Sequence, residues 1–166
     1  ATEFLVKPEH QGFKAMYQRS LAYVEMWEGN DKAMYRLAEE SARFWRATGN
    51  NTYSAGADEQ EGWIALQKGN PKKAYEHFAA GLEILRESPG IDILLSIFDG
   101  ITYVAAMSGQ WEQAATLFGT VAHFRELFEI SRAPIHQPRH DQQLTAVHKN
   151  LDETTFQNRW EKGTQM

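Results

Sequence analysis

Three glycines, Gly29, Gly69 and Gly109, divide the sequence at a constant interval of 40 residues. Each is followed by Asn or Gln and preceded by an apolar pattern typical of a helix. One helix–glycine–helix unit cannot bury its own apolar face, so neighbouring units must stack on one another. The interval therefore predicts an all-α chain of three helix-turn-helix repeats in an α-α superhelix, or solenoid.

Positions at fixed distances from the three glycines carry the same type of residue. Six residues before each glycine the residue is aromatic, and the following residue is apolar and β-branched: Tyr23, Trp63 and Tyr103, then Val24, Ile64 and Val104. Five and nine residues after each glycine the residues are apolar: Met34, Ala74 and Ala114, then Ala38, Phe78 and Phe118. These steps follow one helix face and predict the side chains that repeats share in their core.

The repeat boundaries follow from the same pattern. We expect repeats at about 11–50, 51–90 and 91–131, with first helices near 11–28, 52–68 and 92–108 and second helices near 31–47, 71–88 and 111–130. Asp31 and Pro71 suit helix starts, and Gly49 and Gly90 suit helix ends. No alternating β-branched run bounded by turn residues predicts a strand.

The last part of the chain differs from the repeats. Pro134 and Pro138 interrupt any helix and predict a linker at 132–138. Residues 139–166 regain helical character and are expected to form capping helices that cover the last repeat. The length of the chain suits one helical-repeat domain spanning 1–166.

Composition and charge exclude several classes of protein. The net charge is -5 and the basic residues are scattered, so we expect no direct nucleic-acid binding. No apolar stretch approaches the roughly 20 residues of a membrane span, and no export signal is recognisable. Cysteine is absent, which suits a reducing cytoplasm. Because the chain begins at Ala1, we expect either a processed start or a fragment of a longer protein.

The repeat and the tail together resemble a known family. The glycine, the alanine five residues later and the aromatic residue nine later resemble half of a tetratricopeptide motif. The stretch 100–127 (GITYVAAMSGQWEQAATLFGTVAHFREL), the RAP that follows at 132–134 and the closing Leu151, Phe156, Trp160, Gly163 and Met166 are similar to the C-terminal ends of MalT-like tetratricopeptide arrays. Those arrays end bacterial LuxR-type and AfsR-like STAND-ATPase transcriptional regulators. The resemblance covers roughly 15–166, with departures at Met34, Ala38 and Glu61.

The resemblance implies a sensory or interaction module that takes part in signal transduction by binding a protein, a peptide or a small effector. The sequence has no GxxxxGK[ST] phosphate loop and no basic helix-turn-helix, so ATP hydrolysis and DNA contact are not expected of it. The alternative is a structural or oligomerisation scaffold without a small-molecule ligand, in which the ends of the solenoid and the amphipathic tail pair across a two-fold axis into homo-oligomers.

The aromatic row Tyr23, Trp63 and Tyr103 is the best candidate for a binding site. By the family geometry, first helices line a concave groove, to which we assign Arg19, Tyr23, Met26, Trp27, Glu59, Trp63, Gln67, Asp99, Tyr103 and Met107. Aromatic and methionine side chains adapt to irregular ligands, and the charged groups could orient them. The competing interpretation is that the rings are ordinary core between repeats. Whether the tail fills the groove is open.

No pattern in the sequence indicates catalysis, a metal or a cofactor. His136 and His140 have a spacing that could hold a metal, but Pro138 lies between them, and solvent-exposed histidines are the expected reading. The acidic residues Asp58, Glu59 and Glu61 suit a helix start. No serine lies in a GxSxG context. We therefore expect a non-enzyme with no catalytic residues, no metal and no cofactor.

Overall fold

A computed structural model of the chain describes residues 10–87 and 90–166, and this part is all-helical, with no strand. Its α-helices are α1 (Gln11–Glu28), α2 (Asp31–Thr48), α3 (Asn51–Gln67), α4 (Pro71–Leu85), α5 (Ile91–Met107), α6 (Trp111–Leu127), α7 (Gln137–Asn150) and α8 (Glu153–Thr164). One 3-10 turn, Pro134–His136, precedes α7. The all-α prediction is confirmed for the described residues. None of these helices combines the length and apolarity that a bilayer span requires.

Glycine turns and asparagine caps set the ends of the helices. Gly29 and Gly49 end α1 and α2 in the left-handed conformation, at φ of 75° and 65°. Asn50 and Asn70 each accept a hydrogen bond from a backbone N–H in the first turn of the next helix, at 3.1 Å. The prediction that Gly90 ends a helix is wrong, because Gly90 has φ −116° and precedes the first residue of α5. Helix α4 ends earlier than predicted, at Leu85.

Consecutive helices pair into three helical hairpins, which stack on one another in chain order. Helices α1 and α2, α3 and α4, and α5 and α6 pack against each other within hairpins. Between hairpins, α2 packs on α3, α4 packs on α5, and α3 also contacts α5. The first helices of the three hairpins therefore follow one another along one side of the stack.

The residues predicted to face the shared core are buried. Met34, Ala74 and Ala114, and likewise Ala38, Phe78 and Phe118, are almost inaccessible to solvent. Phe78 joins two hairpins, because a Cβ added at Gly62 of α3 or at Gly100 of α5 would lie 2.4 or 2.2 Å from its ring. A large ring on α4 is thus matched by glycine on both neighbouring helices.

The two tail helices cover the last hairpin. Helix α7 contacts both α5 and α6, and α8 packs closely along α6. This approach depends on Gly119 of α6 and Gly163 of α8: a Cβ at Gly163 would lie 2.0 Å from the carbonyl oxygen of Thr116. The Thr120 hydroxyl donates to the carbonyl oxygen of Gly163 at 3.1 Å across the same contact.

We expect the Gly163→Ala substitution to lower the free energy of unfolding by about 1 to 3 kcal/mol, because the new methyl group would meet backbone that cannot rotate away. Urea denaturation followed by circular dichroism measures the change. Gly12→Ala is the matched control, since a Cβ there meets only the Trp45 ring at 3.6 Å and alanine favours a helix. Equal stability of the two variants would contradict the close contact between α6 and α8.

Candidate ligand site

The candidate site is built on two equivalent positions of the first helices α1, α3 and α5. Ten residues before each turn glycine stand Arg19, Glu59 and Asp99, and one helical turn later stand Tyr23, Trp63 and Tyr103. Since the three helices follow one another in the stack, these side chains form a charged row beside an aromatic row. The rings of Trp63 and Tyr103 meet edge to face, with centroids 5.5 Å apart.

Glu59 is the centre of the first polar network. Its buried carboxylate accepts hydrogen bonds from the Arg19 guanidinium at 2.9 Å and the Tyr23 hydroxyl at 2.7 Å through one oxygen. The other oxygen accepts from the Trp63 indole N–H at 2.7 Å and the Ser96 hydroxyl at 2.6 Å. Four donors from α1, α3 and α5 therefore compensate the burial of one negative charge.

Asp99 is the centre of the second network. Its buried carboxylate accepts from Arg125 of α6 at 2.6 Å and from two nitrogens of Arg132 at 2.9 and 3.1 Å. Arg125 also donates to the carbonyl oxygen of Ile130 at 3.2 Å. Because Arg132 lies in the linker, this paired geometry attaches the linker to the third hairpin.

Two histidines of the tail pack into the aromatic row. The His136 ring stacks on Trp63 with centroids 4.2 Å apart and meets Tyr23 edge-on at 6.0 Å. The His140 ring lies 5.2 Å from Phe118 and 6.1 Å from Tyr103. The expectation that these histidines are solvent-exposed is wrong for His136, which is only 8% exposed. The tail therefore fills the middle of the predicted groove.

The predicted groove residues fall into distinct environments. Trp63 and Tyr103 are 2% and 0% exposed, so their rings are packed between hairpins rather than open to solvent. Asp99 is buried behind the linker, and Met107 is exposed. The side chain of Trp27 lies outside the described residues. The role of all these residues in binding stays a prediction.

Two cavities remain on either side of His136. The larger, of about 420 Å³, lies between the first helices, α6 and the linker; its walls include Arg19, Ser20, Tyr23, Glu59, Asp92, Ile93, Ser96, Arg125, Ile130, Ser131, Ala133 and His136. The smaller, of about 220 Å³, is lined by Met26, Trp63, Gln67, Pro134, His136, Pro138 and Arg139. We call the larger one the linker cavity. It brings together Arg19, Tyr23 and Glu59 of the predicted groove, whereas Met26 and Gln67 face the smaller cavity.

Sequence reasoning missed the contribution of α6 and the linker to this site. Arg125, Ser131, Ala133 and His136 line the linker cavity. Arg125 lies on α6 at a position that the repeat pattern did not single out, and the other three lie at the end of the third repeat and in the linker, where no periodic position was assigned. The only signal was compositional: two arginines, Arg125 and Arg132, flank the end of the third repeat, close to two prolines. Nothing in that spacing shows that they reach Asp99.

Burial also changes the acid–base properties of the site. It lowers the pKa of His136 and of His140 below the ordinary histidine value, although the carboxylates of Glu59 and Asp99 oppose the change at His136. Burial raises the pKa of Tyr23 well above its ordinary value, and the charge of Glu59 raises it further. At neutral pH the two histidines are therefore uncharged rings, which suits their packing against aromatic side chains.

One further group of polar residues lies on the opposite side of α3. Asp58, Glu61 and His77 offer atoms within 4.8 Å of one another, the one such trio of possible metal ligands in the described ranges. Both carboxylates, however, already pair with the Arg46 guanidinium at 2.7 Å. The group acts as a polar connection between α2, α3 and α4, and neither His136 nor His140 takes part in it.

Comparisons with protein-family models, with curated proteins and with solved structures find no match to this chain. The resemblance to MalT-like tetratricopeptide arrays thus stays a prediction from the residues that carry it. Conclusions about function depend on the geometry of the site.

We expect Asp99→Asn to lower the free energy of unfolding by about 3 to 5 kcal/mol, because it leaves the guanidinium groups of Arg125 and Arg132 buried without a counter-charge. Asp92→Asn, on the same helix but exposed, is the matched control and should change stability by less than about 0.5 kcal/mol. Urea titrations of both variants measure the difference. Similar losses in both would show that Asp99 is not the anchor of the linker.

We expect the free energy of unfolding to fall as the pH drops below about 6.5. The histidines of the unfolded chain then bind protons, whereas the lowered pKa of His136 and His140 keeps these histidines unprotonated in the folded state. The free energy of unfolding should fall by up to about 1.4 kcal/mol for each pH unit and each histidine, until the lowered pKa of the folded state is reached. Thermal unfolding from pH 7.5 to 5.5 measures it. The ionisable groups around His136 are Tyr23, Glu59, Asp99, Arg132 and Arg139.

His136→Gln should flatten this pH dependence, since glutamine does not titrate. His148→Gln is the control, because His148 also lies in the tail but is 42% exposed. A steep pH dependence that persists in His136→Gln and His140→Gln would assign it to the carboxylates instead.

Proposed function

We propose that the chain is a non-catalytic, tetratricopeptide-like superhelical module that binds a small polar effector in the linker cavity, as the sensory part of a bacterial transcriptional regulator. The observation that carries this proposal is the cavity itself. It lies where three equivalent helices meet the linker, and it is surrounded by the Glu59 network and by Arg125.

The size of the space favours a small molecule over an extended peptide. A peptide lying along the aromatic row would have to displace His136, whose ring already stacks on Trp63. The linker cavity, at about 420 Å³, is within the range of about 300 to 1,000 Å³ typical of small-molecule sites. An effector can therefore enter beside His136 without moving the tail.

The walls of the linker cavity define the chemistry of the ligand. Arg19 and Arg125 provide donors, the Tyr23 hydroxyl oxygen can accept because its hydrogen is donated to Glu59, and Asp92 provides an exposed acceptor at the rim. Ile93 and Ile130 add apolar surface. These groups favour a compact molecule that carries both hydrogen-bond donors and acceptors, together with a short apolar part.

The hydrogen bonds and ion pairs already made by the buried carboxylates of Glu59 and Asp99 favour a binding function over a catalytic one. Each oxygen of Glu59 already accepts two hydrogen bonds, and Asp99 is held by two guanidinium groups. A general base or nucleophile needs a free, aimed group within reach of a substrate. In the described site these acids instead hold the walls of the cavity in place.

The linker could transmit ligand binding to the rest of the protein. It contributes Ser131, Ala133 and His136 to the cavity wall, while Arg132 fixes it to Asp99. A ligand that bridges α1 and the linker would favour the docked arrangement of α7 over an undocked one. In the regulators that the sequence resembles, such a preference would be passed to other domains.

A thermal-shift screen of small zwitterionic and polar metabolites tests the proposal, with hits confirmed by calorimetry. Ala133→Trp fills the linker cavity from an exposed wall position and should weaken binding of a true ligand at least tenfold. Ser108→Trp, exposed in the turn between α5 and α6, is the matched control and should bind normally. Ligands that bind the parent and Ala133→Trp equally would place binding outside the linker cavity.

The alternative predicted from the sequence, an oligomerisation element, has separate support in the exposed face of α1. The two functions are compatible, because a sensory module can respond to its effector as a dimer.

A further inference from the structure

The outer face of α1 is apolar and exposed. Tyr17 and Val24 are 53% and 49% exposed, and Ser20 lies between them. Steps of three and four residues place the three side chains on one face of the helix, and Ser20 at its centre is exposed. A small residue between two larger apolar ones allows another helix to approach closely.

The equivalent faces of the other two hairpins are buried by the preceding hairpin. Ala57 and Ile97, which correspond to Tyr17, are 4% and 0% exposed. Ile64, which corresponds to Val24, belongs to one apolar cluster with Ala22 and Met34 of the first hairpin. The face of α1 thus continues a surface that packs against helices elsewhere in this chain.

Among the described residues, the opposite end of the stack is covered by the tail. Helix α8 covers α6 there, in the close contact made by Gly119 and Gly163. A second copy therefore cannot add its last hairpin to α1 in a head-to-tail manner. Pairing of two α1 faces across a two-fold axis remains, and such a contact is closed and self-complementary.

The charges beside the face select an antiparallel arrangement. Lys14 lies in the first half of α1, while Glu25 and Glu28 lie in the second half, along the same edge of the apolar face. With the two-fold axis beside Ser20, Lys14 of one copy approaches Glu25 and Glu28 of the other. In the same arrangement Tyr17 lies against Val24, and both apolar side chains lose their exposure.

We propose that the chain pairs with a second copy of itself through the outer faces of α1, packed antiparallel about a two-fold axis beside Ser20. The side chains of the Glu59 and Asp99 networks lie outside this contact, whereas Ser20 also lines the linker cavity and therefore places the contact beside its rim.

Sedimentation velocity over a wide concentration range tests the pairing. The parent protein should form dimers, and Tyr17→Glu should raise the dimer dissociation constant at least tenfold, because it places two charges in an apolar contact. Tyr75→Glu is the matched control, since Tyr75 on α4 is 52% exposed but lies outside the proposed contact. A parent that is monomeric at every concentration, or dimers that tolerate Tyr17→Glu, would overturn the proposal.

Charge reversal tests the direction of the helices. Lys14→Glu and Glu28→Lys should each weaken the dimer, whereas the double variant should recover a substantial part of its affinity. A parallel pair would keep Lys14 and Glu28 of the two copies at opposite ends of the contact, so the double variant would not recover. Loss without recovery would therefore refute the antiparallel arrangement.

The absence of cysteine allows a direct test of proximity. Ser20→Cys should form a disulfide or a short bismaleimide cross-link between copies, because Ser20 lies beside the proposed axis. Ser108→Cys, exposed at the turn between α5 and α6, should not cross-link at the same concentration. Equal cross-linking of the two variants would indicate random collision and contradict the proposed contact.

Discussion

The arrangement of the linker and tail depends on how two buried carboxylates are compensated. Glu59 and Asp99 stand at equivalent positions of neighbouring hairpins, and an ionised carboxylate in the interior is tolerated only with cations and donors around it. Glu59 takes its cation from α1, through Arg19. Asp99 takes its cations from α6 and the linker, through Arg125 and Arg132. The two acids thus connect parts of the chain that are far apart in sequence.

The docked linker reduces the part of the aromatic row that is open to a ligand. The first helices provide a side lined by rings, as the sequence predicts, but His136 and His140 occupy it from the tail. Burial disfavours the charged form of both rings, so they pack as aromatic residues, and His136 also lines both cavities. An open groove for a peptide is thereby reduced to two smaller spaces, of which the linker cavity carries most of the charged groups.

The sequence predicts the hairpins well because their signal is periodic. The three turn glycines, Gly29, Gly69 and Gly109, recur at the same interval, so the helix pattern found in one repeat can be checked against the other two. The predicted helix bounds therefore agree with the structure to within a few residues. Gly90 shows the limit of local reasoning, since a glycine suits either side of a helix boundary and here precedes α5. The docking of His136 could not be predicted, because the linker has no periodicity and its contacts join residues distant in the chain.

The site arises where the three repeats differ, whereas the core arises where they agree. At the aromatic position the repeats carry Tyr23, Trp63 and Tyr103, of which Trp63 and Tyr103 are buried and pack edge to face between hairpins. At the charged position, Arg19 replaces the acid found in the other two repeats, and this change supplies the counter-ion that Glu59 needs. Three acids at that position would leave α3 and α5 with two buried negative charges and one fewer cation. The two arginines of the other network, Arg125 and Arg132, already pair with Asp99, so Glu59 would keep only its uncharged donors.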